Sequence, residues 1–173
     1  MVKKSDSFFI RQTLNADNTG IFQQTELDLG AYVDALGKSV LRIHNIAVTF
    51  SEQDGTPVTL GANDGGAAQY QLTTQSQADI VLSSNRSVIA SGMLFAKNDV
   101  GAAGPPSIAS HDADVLPQMW TNGYLVAVDS IYLGGRADSA FTTDVYCSIT
   151  LECTVETMSE ASAMALALSQ QGA

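Results

Sequence analysis

The segment that most constrains the fold is the last apolar stretch before the C-terminus, DVYCSITLECTVE. Apolar side chains occupy every second position in it, and polar ones fill most of the positions between them. A period of two is typical of a β-strand with one face in a core. We therefore expect a strand whose inward set is Val145, Cys147, Ile149, Leu151, Cys153 and Val155, and whose outward set is Asp144, Tyr146, Ser148, Thr150, Glu152, Thr154 and Glu156.

Further strands are predicted along the chain by β-branched and aromatic runs that turn residues separate. SVLRIHNIAVTF is apolar on both faces, which favours a central position, and GYLVAVDSIYLGG reads as one late strand. The shorter candidates are SFFIRQTL, IFQQTELDL, AAQYQLTT, ADIVLSS and SVIASGMLFA. GAYVDALGK is either a short helix or an irregular connection closed by Gly37. Strands do not alternate with helices, so we expect an all-β fold, an antiparallel β-sandwich or jelly roll of about eight strands with a short C-terminal helix.

Residues 97–119 form the longest predicted irregular connection, with three prolines and no periodicity. A loop of this size in a compact domain is normally functional or interfacial. We therefore expect a contact region here, with Pro105, Pro106 and His111 as contact residues. A divalent cation held by His111 and the neighbouring aspartates is a less favoured alternative.

The chain ends in a predicted helix over 159–170. Ser159 is a good N-cap and Glu160 complements the helix dipole. Apolar residues then recur at helical spacing, at Ala161, Met164, Ala165 and Leu168. A helix this short is marginal alone in water, so it needs a partner surface, which is either its own sheet or another copy of the chain. We expect contacts at Met164, Ala165 and Leu168, on a helical tail (158–173) that follows a β-sandwich domain (1–157).

Composition limits the partners. The formal net charge is -10, from 18 acidic and 8 basic side chains, which argues against direct nucleic-acid binding. Only 15% of residues are charged, against roughly 25% in typical domains, which suits contact with neighbours. No apolar run is long enough to predict a transmembrane segment, and no signal peptide is predicted at the start.

No residues stand out as a catalytic, cofactor or metal site. Cys147 and Cys153 lie about 20 Å apart along one predicted strand, too far for a disulfide, and are expected to be reduced core residues. His44 lies within a strand and is expected to pack there. No nucleophile motif or phosphate-binding loop is present. We therefore expect no cofactor and no enzymatic activity.

Three segments define the overall architecture: SVLRIHNIAVTF early, GYLVAVDSIYLGG late, and DVYCSITLECTVE followed by a tail. With about eight short strands in this order, the chain resembles the single jelly-roll capsid proteins of small icosahedral viruses over most of its length. Many of those that package a single-stranded genome carry an Arg/Lys-rich arm, whereas the basic residues near the start of this chain are only Lys3, Lys4 and Arg11. The resemblance then implies a shell whose inner surface need not neutralise the genome, as in a virus with an internal membrane or a separate nucleic-acid-binding protein.

From these observations we expect a virion structural protein, a major capsid protein that self-assembles into a shell. Its partners would be copies of itself and other virion proteins, and it would be made in the host cytoplasm and located in the virion. Two alternatives stay open. One is a subunit of a β-rich surface filament, which would need a secretion route; the other is a carbohydrate-binding β-sandwich, which the few candidate exposed aromatics disfavour.

Overall fold

The structure, a computed structural model, describes residues 5–34, 36 and 38–171. In this part of the chain there are nine strands, one 3-10 helix and one α-helix. The strands are β1 (Phe8–Asn15), β2 (Gln23–Asp28), β3 (Ser39–Ser51), β4 (Gly65–Thr73), β5 (Val88–Lys97), β6 (Ile108–Val115), β7 (Tyr124–Val126), β8 (Ser130–Ala137) and β9 (Tyr146–Thr157). The 3-10 helix is Pro117–Met119 and the α-helix, α1, is Glu160–Gln171.

The strands form two antiparallel sheets that pack face to face. One sheet has the order β1-β9-β3-β7 and the other has the order β2-β8-β4-β5-β6. The pairs β1/β9, β2/β8 and β3/β7 nest around the hairpin β4/β5, and β6 adds a fifth strand beside β5. Eight strands nested in this way across two sheets make a jelly roll. The predicted fold class is confirmed.

The main core lies between the sheets and is formed by the inward side chains of both. Burial of this apolar surface is the dominant favourable term in folding. Its largest fully buried side chains include Leu41, Ile43, Tyr70, Leu72, Ile89, Ile131, Leu133, Ile149 and Leu151. The predicted central strand, β3, pairs with β9 on one side and with β7 on the other.

The alternation predicted for β9 is confirmed from residue 145 to residue 153 and fails after it. Thr154 and Glu156, predicted to face water, are buried, while Val155 is only half-buried. The reason is that Glu156 lies opposite Val40 on the outer face of the sheet, and α1 covers that part of the outer face. A helix from further along the chain thus buries positions that the strand pattern assigns to solvent.

The segment GYLVAVDSIYLGG is two strands in different sheets, so the prediction of one strand is wrong. β7 pairs with β3, and β8 pairs with β2 and β4. Val126 at the end of β7 and the two residues after it, Ala127 and Val128, are all buried, because the chain crosses from one sheet to the other there and packs on both sides. Three consecutive buried residues end the alternation. When it resumes in β8, the odd-numbered positions are the buried ones, as at Ile131 and Leu133.

Residues 97–119 are not one irregular loop. They contain β6 and the 3-10 helix, and the described residues of β6 carry no alternating burial because nearly all of them are exposed. A strand exposed on both faces has no reason to alternate, so period-two patterning cannot reveal it.

ADIVLSS is also not a strand. It folds as bends and turns, because the Gln71 side chain holds its backbone in place of a ladder: Gln71 Oε1 accepts from the Val81 N–H at 2.9 Å, and its Nε2 donates to the Val81 carbonyl. Leu82 consequently stays 80% exposed. In GAYVDALGK the described residues form turns and a bridge between Asp34 and Ser39, and Gly37 lies outside the described residues.

Cys147 and Cys153 are free and fully buried in the core, as predicted. Burial raises the pKa of each thiol to about 12. His44 is also a packed residue on β3, where Nε2 lies 2.9 Å from the Thr154 hydroxyl. Cys147, Cys153 and His44 are therefore packed residues of the fold.

Candidate assembly surfaces

The C-terminal helix docks on its own chain. Ser159 caps it, because its Oγ accepts a hydrogen bond from the Ser162 N–H at 3.3 Å. Ala163 and Ala167 are buried against Val40 and Ala127 on the outer side of the four-stranded sheet. Of the two partner surfaces that the sequence left open, the helix thus occupies its own sheet. The side of the helix that docks carries alanines, and their small side chains allow the helix to approach the sheet closely.

Gln170 fastens the end of α1 to the edge strand β7. Its side-chain Oε1 accepts from the Ala127 N–H at 2.8 Å, and its Nε2 donates to the Leu125 carbonyl at 2.6 Å. The Gln170 carbonyl in turn accepts from Thr74 Oγ1 at 3.1 Å and Gln75 Nε2 at 2.8 Å. The amide makes the pair of bonds that a neighbouring strand would make. It therefore closes part of this sheet edge.

A buried ion pair lies near the same outer face. The Arg42 guanidinium meets Glu156 with Nε to Oε1 at 2.6 Å and Nη2 to Oε2 at 2.8 Å, and Nη1 donates to the Asn122 carbonyl. The hydrogen bonds with Glu156 raise the pKa of Arg42 above its ordinary value. The charges of the ion pair are satisfied within the chain.

The predicted contact stripe faces away from the sheet. Met164 is 43% exposed and Leu168 is 66% exposed, and Ala165 beside them is also exposed. Met164 and Leu168 lie one turn apart and so form one continuous apolar patch. Glu160 is the helix's single charged residue. We call the exposed set Met164, Ala165 and Leu168 the helix stripe.

The other predicted contact residues lie at a separate place on the molecule. Pro105 is exposed and Pro106 half-buried in the turn that leads into β6. His111 is exposed on β6, with its ring edge-on to the Phe50 ring at 5.3 Å between centroids. All three residues lie in β6 or in the turn before it, at one edge of the five-stranded sheet, whereas α1 packs on the four-stranded sheet.

The sheet edges differ in how well they are covered. β1 and β2 approach each other at one corner, where Gln12 Nε2 lies 3.4 Å from Thr25 Oγ1. β7 is held by Gln170. β6 pairs only with β5 among the described strands and is exposed along its length. Exposed edge strands are templates for pairing with another chain.

An apolar hollow that the sequence did not reveal lies beside β6. Phe95 (44% exposed) and Ile108 (66% exposed) line it. Gly65, Gly66 and Ala67 also line it, and its volume is about 460 Å³. Two charged residues, Lys97 and Asp138, belong to the same lining. The signal was present in SVIASGMLFA, because Leu94 and Ala96 are buried and the alternation therefore points Phe95 outward. We call this feature the Phe95–Ile108 hollow.

A second, polar recess of about 580 Å³ is lined by carboxylates that include Glu52, Asp54 and Asp144. Hydrogen bonds from Thr56 hold the pKa of Asp54 below its ordinary value. Within the described ranges, no three His, Cys, Asp or Glu side chains are grouped so that they could hold a metal ion. No helix in that part of the chain is long and apolar enough to cross a membrane.

No family model matches the chain, and no curated protein matches its sequence. Among the solved structures that match it are three that overlap most of the chain at low identity. Desmodium yellow mottle tymovirus gives a TM-score of 0.39 at 11% identity, covering 91% of this chain and 89% of that chain. Cocksfoot mottle virus gives 0.39 at 8% identity, covering 94% and 99%. The unassembled pentamer of Merkel cell polyomavirus VP1 gives 0.36 at 8% identity, covering 87% and 96%. TM-scores this low do not indicate a shared function.

Proposed function

We propose that this chain is a virion structural protein that associates with copies of itself to build a shell, and that it acts by assembly rather than by catalysis. Jelly rolls serve as capsid subunits, lectins and metal-dependent cupins, so the fold does not select among these roles. The surface must do so. The observation that carries the proposal is the helix stripe, which points outward although the helix is already docked.

The net charge limits where two copies of the chain can meet. With a net charge of -10, two copies repel each other over most approaches. The electrostatic repulsion between two copies is smallest where an uncharged apolar patch meets the other copy. Burying such a patch contributes roughly 1.5–3 kcal/mol for each large aliphatic side chain that becomes fully buried. The open edge of β6 offers a second contact of a different kind, through backbone hydrogen bonds.

The test is a comparison of two exposed leucines. Leu168→Glu places a charge in the helix stripe, and Leu82→Glu places the same charge on a leucine that is 80% exposed in the β4–β5 connection. Sedimentation velocity should show a large assembly for the wild type and for Leu82→Glu. Leu168→Glu should form smaller species while its circular dichroism and thermal unfolding stay unchanged. Wild-type assembly by Leu168→Glu would contradict the assigned role of the stripe.

A further inference from the structure

A small cavity lies between the five-stranded sheet and the connection from β4 to β5. Its volume is about 260 Å³, and residues of β4, β5, β6 and the connection line it. Gln71 holds the connection against the sheet through its two hydrogen bonds with Val81. A bond from the Thr74 N–H to the Ser87 carbonyl at 2.8 Å closes the base of the connection. The cavity therefore has a fixed wall on each side. We call it the Ser91 cavity.

Ser91 contributes a buried hydroxyl group to this lining. It lies opposite Gln71 in the β4/β5 pair, and cross-strand partners point to the same face of a sheet. Leu72, next to Gln71, belongs to the core between the sheets, so Gln71 and Ser91 share the outer face. Ser91 is 3% exposed, and its Oγ has no hydrogen-bond partner among the residues that the structure describes. Since buried hydroxyl groups are ordinarily hydrogen-bonded, this one is available to a ligand.

The charge of the lining selects the sign of that ligand. Asp114 of β6 is the charged residue of the lining, and none of the described residues that line the cavity is Lys, Arg or His. Within the described part of the chain, Asp114 belongs to no ion pair. The net charge of -10 also attracts cations and repels anions. Both the local and the overall charge therefore favour a cationic ligand.

The rest of the lining indicates what kind of cation fits. Ile80, Leu82 and Met93 supply apolar side chains, which suit a short aliphatic chain. A primary ammonium group has three N–H donors and no acceptor, so one such group can bond both Ser91 Oγ and the Asp114 carboxylate. Pockets for drug-sized ligands measure about 300–1,000 Å³, so a cavity of about 260 Å³ takes a smaller molecule.

We propose that the Ser91 cavity binds a short aliphatic primary amine in its ammonium form. The ammonium bonds Asp114 and Ser91, and the aliphatic chain packs against Met93 and Leu82. The cavity is built on the five-stranded sheet, whereas α1 and its helix stripe are on the four-stranded sheet. Binding of the amine therefore does not depend on self-assembly.

Saturation-transfer difference NMR with n-butylammonium tests the site, because the ligand is observed directly whether the protein is a monomer or a large assembly. Two molecules with the same alkyl chain are the ligand controls: n-butanol is neutral and butyrate is an anion. We expect a dissociation constant of about 1–10 mM for n-butylammonium. Binding of n-butanol should be at least about fivefold weaker, since it lacks the charge-assisted hydrogen bond, and butyrate should show no transfer.

Two variants assign the contact residues. Asp114→Asn should weaken n-butylammonium binding about tenfold and remove the preference over n-butanol, because a charged acceptor becomes a neutral one. Ser91→Ala should weaken binding about threefold to tenfold through loss of one hydrogen bond. Asp112→Asn is the matched control: Asp112 is exposed on the same strand but does not line the cavity, and binding should not change. Circular dichroism and thermal unfolding verify that each variant is folded.

Three results would overturn the site. Equal binding of n-butylammonium and n-butanol would mean that only the apolar lining acts. Equal losses in Asp114→Asn and Asp112→Asn would mean that the net charge alone attracts the cation. Absence of transfer from n-butylammonium to the folded wild type would mean that the cavity takes no such ligand. None of these results depends on whether the wild type assembles, so they leave the shell-forming function to its own test.

Discussion

The side-chain oxygen of Gln170 accepts a hydrogen bond from the backbone N–H of Ala127 at 2.8 Å. With the second bond, from Gln170 Nε2 to the Leu125 carbonyl, it fixes the rotation of α1 on the sheet. Ala163 and Ala167 therefore face inward and the helix stripe faces outward. The availability of the stripe thus depends on a contact that lies on the opposite side of the helix.

Gln170→Ala should destabilise the folded chain. It leaves the Ala127 N–H and the Leu125 carbonyl without these partners at a buried site, and we expect a loss of about 2–4 kcal/mol in the free energy of unfolding. Chemical denaturation measures this loss. The matched control is Gln171→Ala, at the neighbouring exposed position, which should change stability by less than about 0.5 kcal/mol. Equal effects from the two changes would show that Gln170 does not fasten the helix.

The Arg42–Glu156 pair should show strong energetic coupling. Arg42→Leu removes the guanidinium that neutralises a buried carboxylate, and breaking a buried ion pair in this way costs about 3–5 kcal/mol. Replacing both residues by leucine removes the charge together with its partner, so the double variant should be less destabilised than Arg42→Leu alone. A double-mutant cycle from urea unfolding measures the coupling. Additive losses would contradict the pairing seen between these side chains.

The two core thiols should make stability depend on alkaline pH. Burial raises the pKa of Cys147 and of Cys153 from an ordinary value of about 9 to about 12. The folded state then holds the thiol protons more tightly than the unfolded state does. This contribution is complete below about pH 9 and is lost as the pH rises from about 9 to about 12, by up to about 1.4 kcal/mol for each pH unit and thiol.

Burial also raises the pKa of Tyr70, so the wild-type slope alone does not isolate the thiols. The Cys147→Ala/Cys153→Ala variant should lose stability less steeply than the wild type over the same pH interval. Urea unfolding at several pH values gives both slopes, and the comparison does not depend on the absolute stability of the variant. Parallel slopes would mean that the thiols do not contribute.

Gly123 should tolerate no side chain. Its φ is +64°, and a Cβ placed there would overlap the carbonyl oxygen of Ile43. Gly123→Ala should therefore cost more than about 1 kcal/mol, through both left-handed backbone strain and the clash. Gly104→Ala is the control, because a Cβ there meets nothing within 4 Å and its φ lies outside the left-handed region. Thermal unfolding distinguishes the two, and equal midpoints would refute the argument.

The features that the sequence predicted well are those that depend on neighbouring residues in one segment. The alternation from Val145 to Cys153 and the β-branched run of β3 identified the two central strands of one sheet, because each has a face determined by its own side chains. The burial of the two core cysteines and the capping role of Ser159 were also predicted from neighbouring residues in the sequence. Each of these features needs only the residues of one segment.

What the sequence did not predict depends on distant contacts. Glu156 is buried where it meets Arg42 and lies opposite Val40, on which α1 packs, and β6 has no alternating burial because nearly all of its described residues are exposed. The helix stripe was identified from the spacing of its apolar residues alone. The side of α1 that docks is set instead by Gln170 and by small alanines, which contribute little to a pattern of hydrophobic residues. The hollow needs three strands side by side, so no single segment contains it.

The central claim, that the chain assembles with copies of itself, is tested most directly by the solution mass of the purified protein. Multi-angle light scattering at low and at moderate salt, with and without calcium, gives that mass without any variant. We expect a large assembly of many copies, favoured as salt screens the net charge of -10. A stable monomer of 18.2 kDa in every condition would contradict the account.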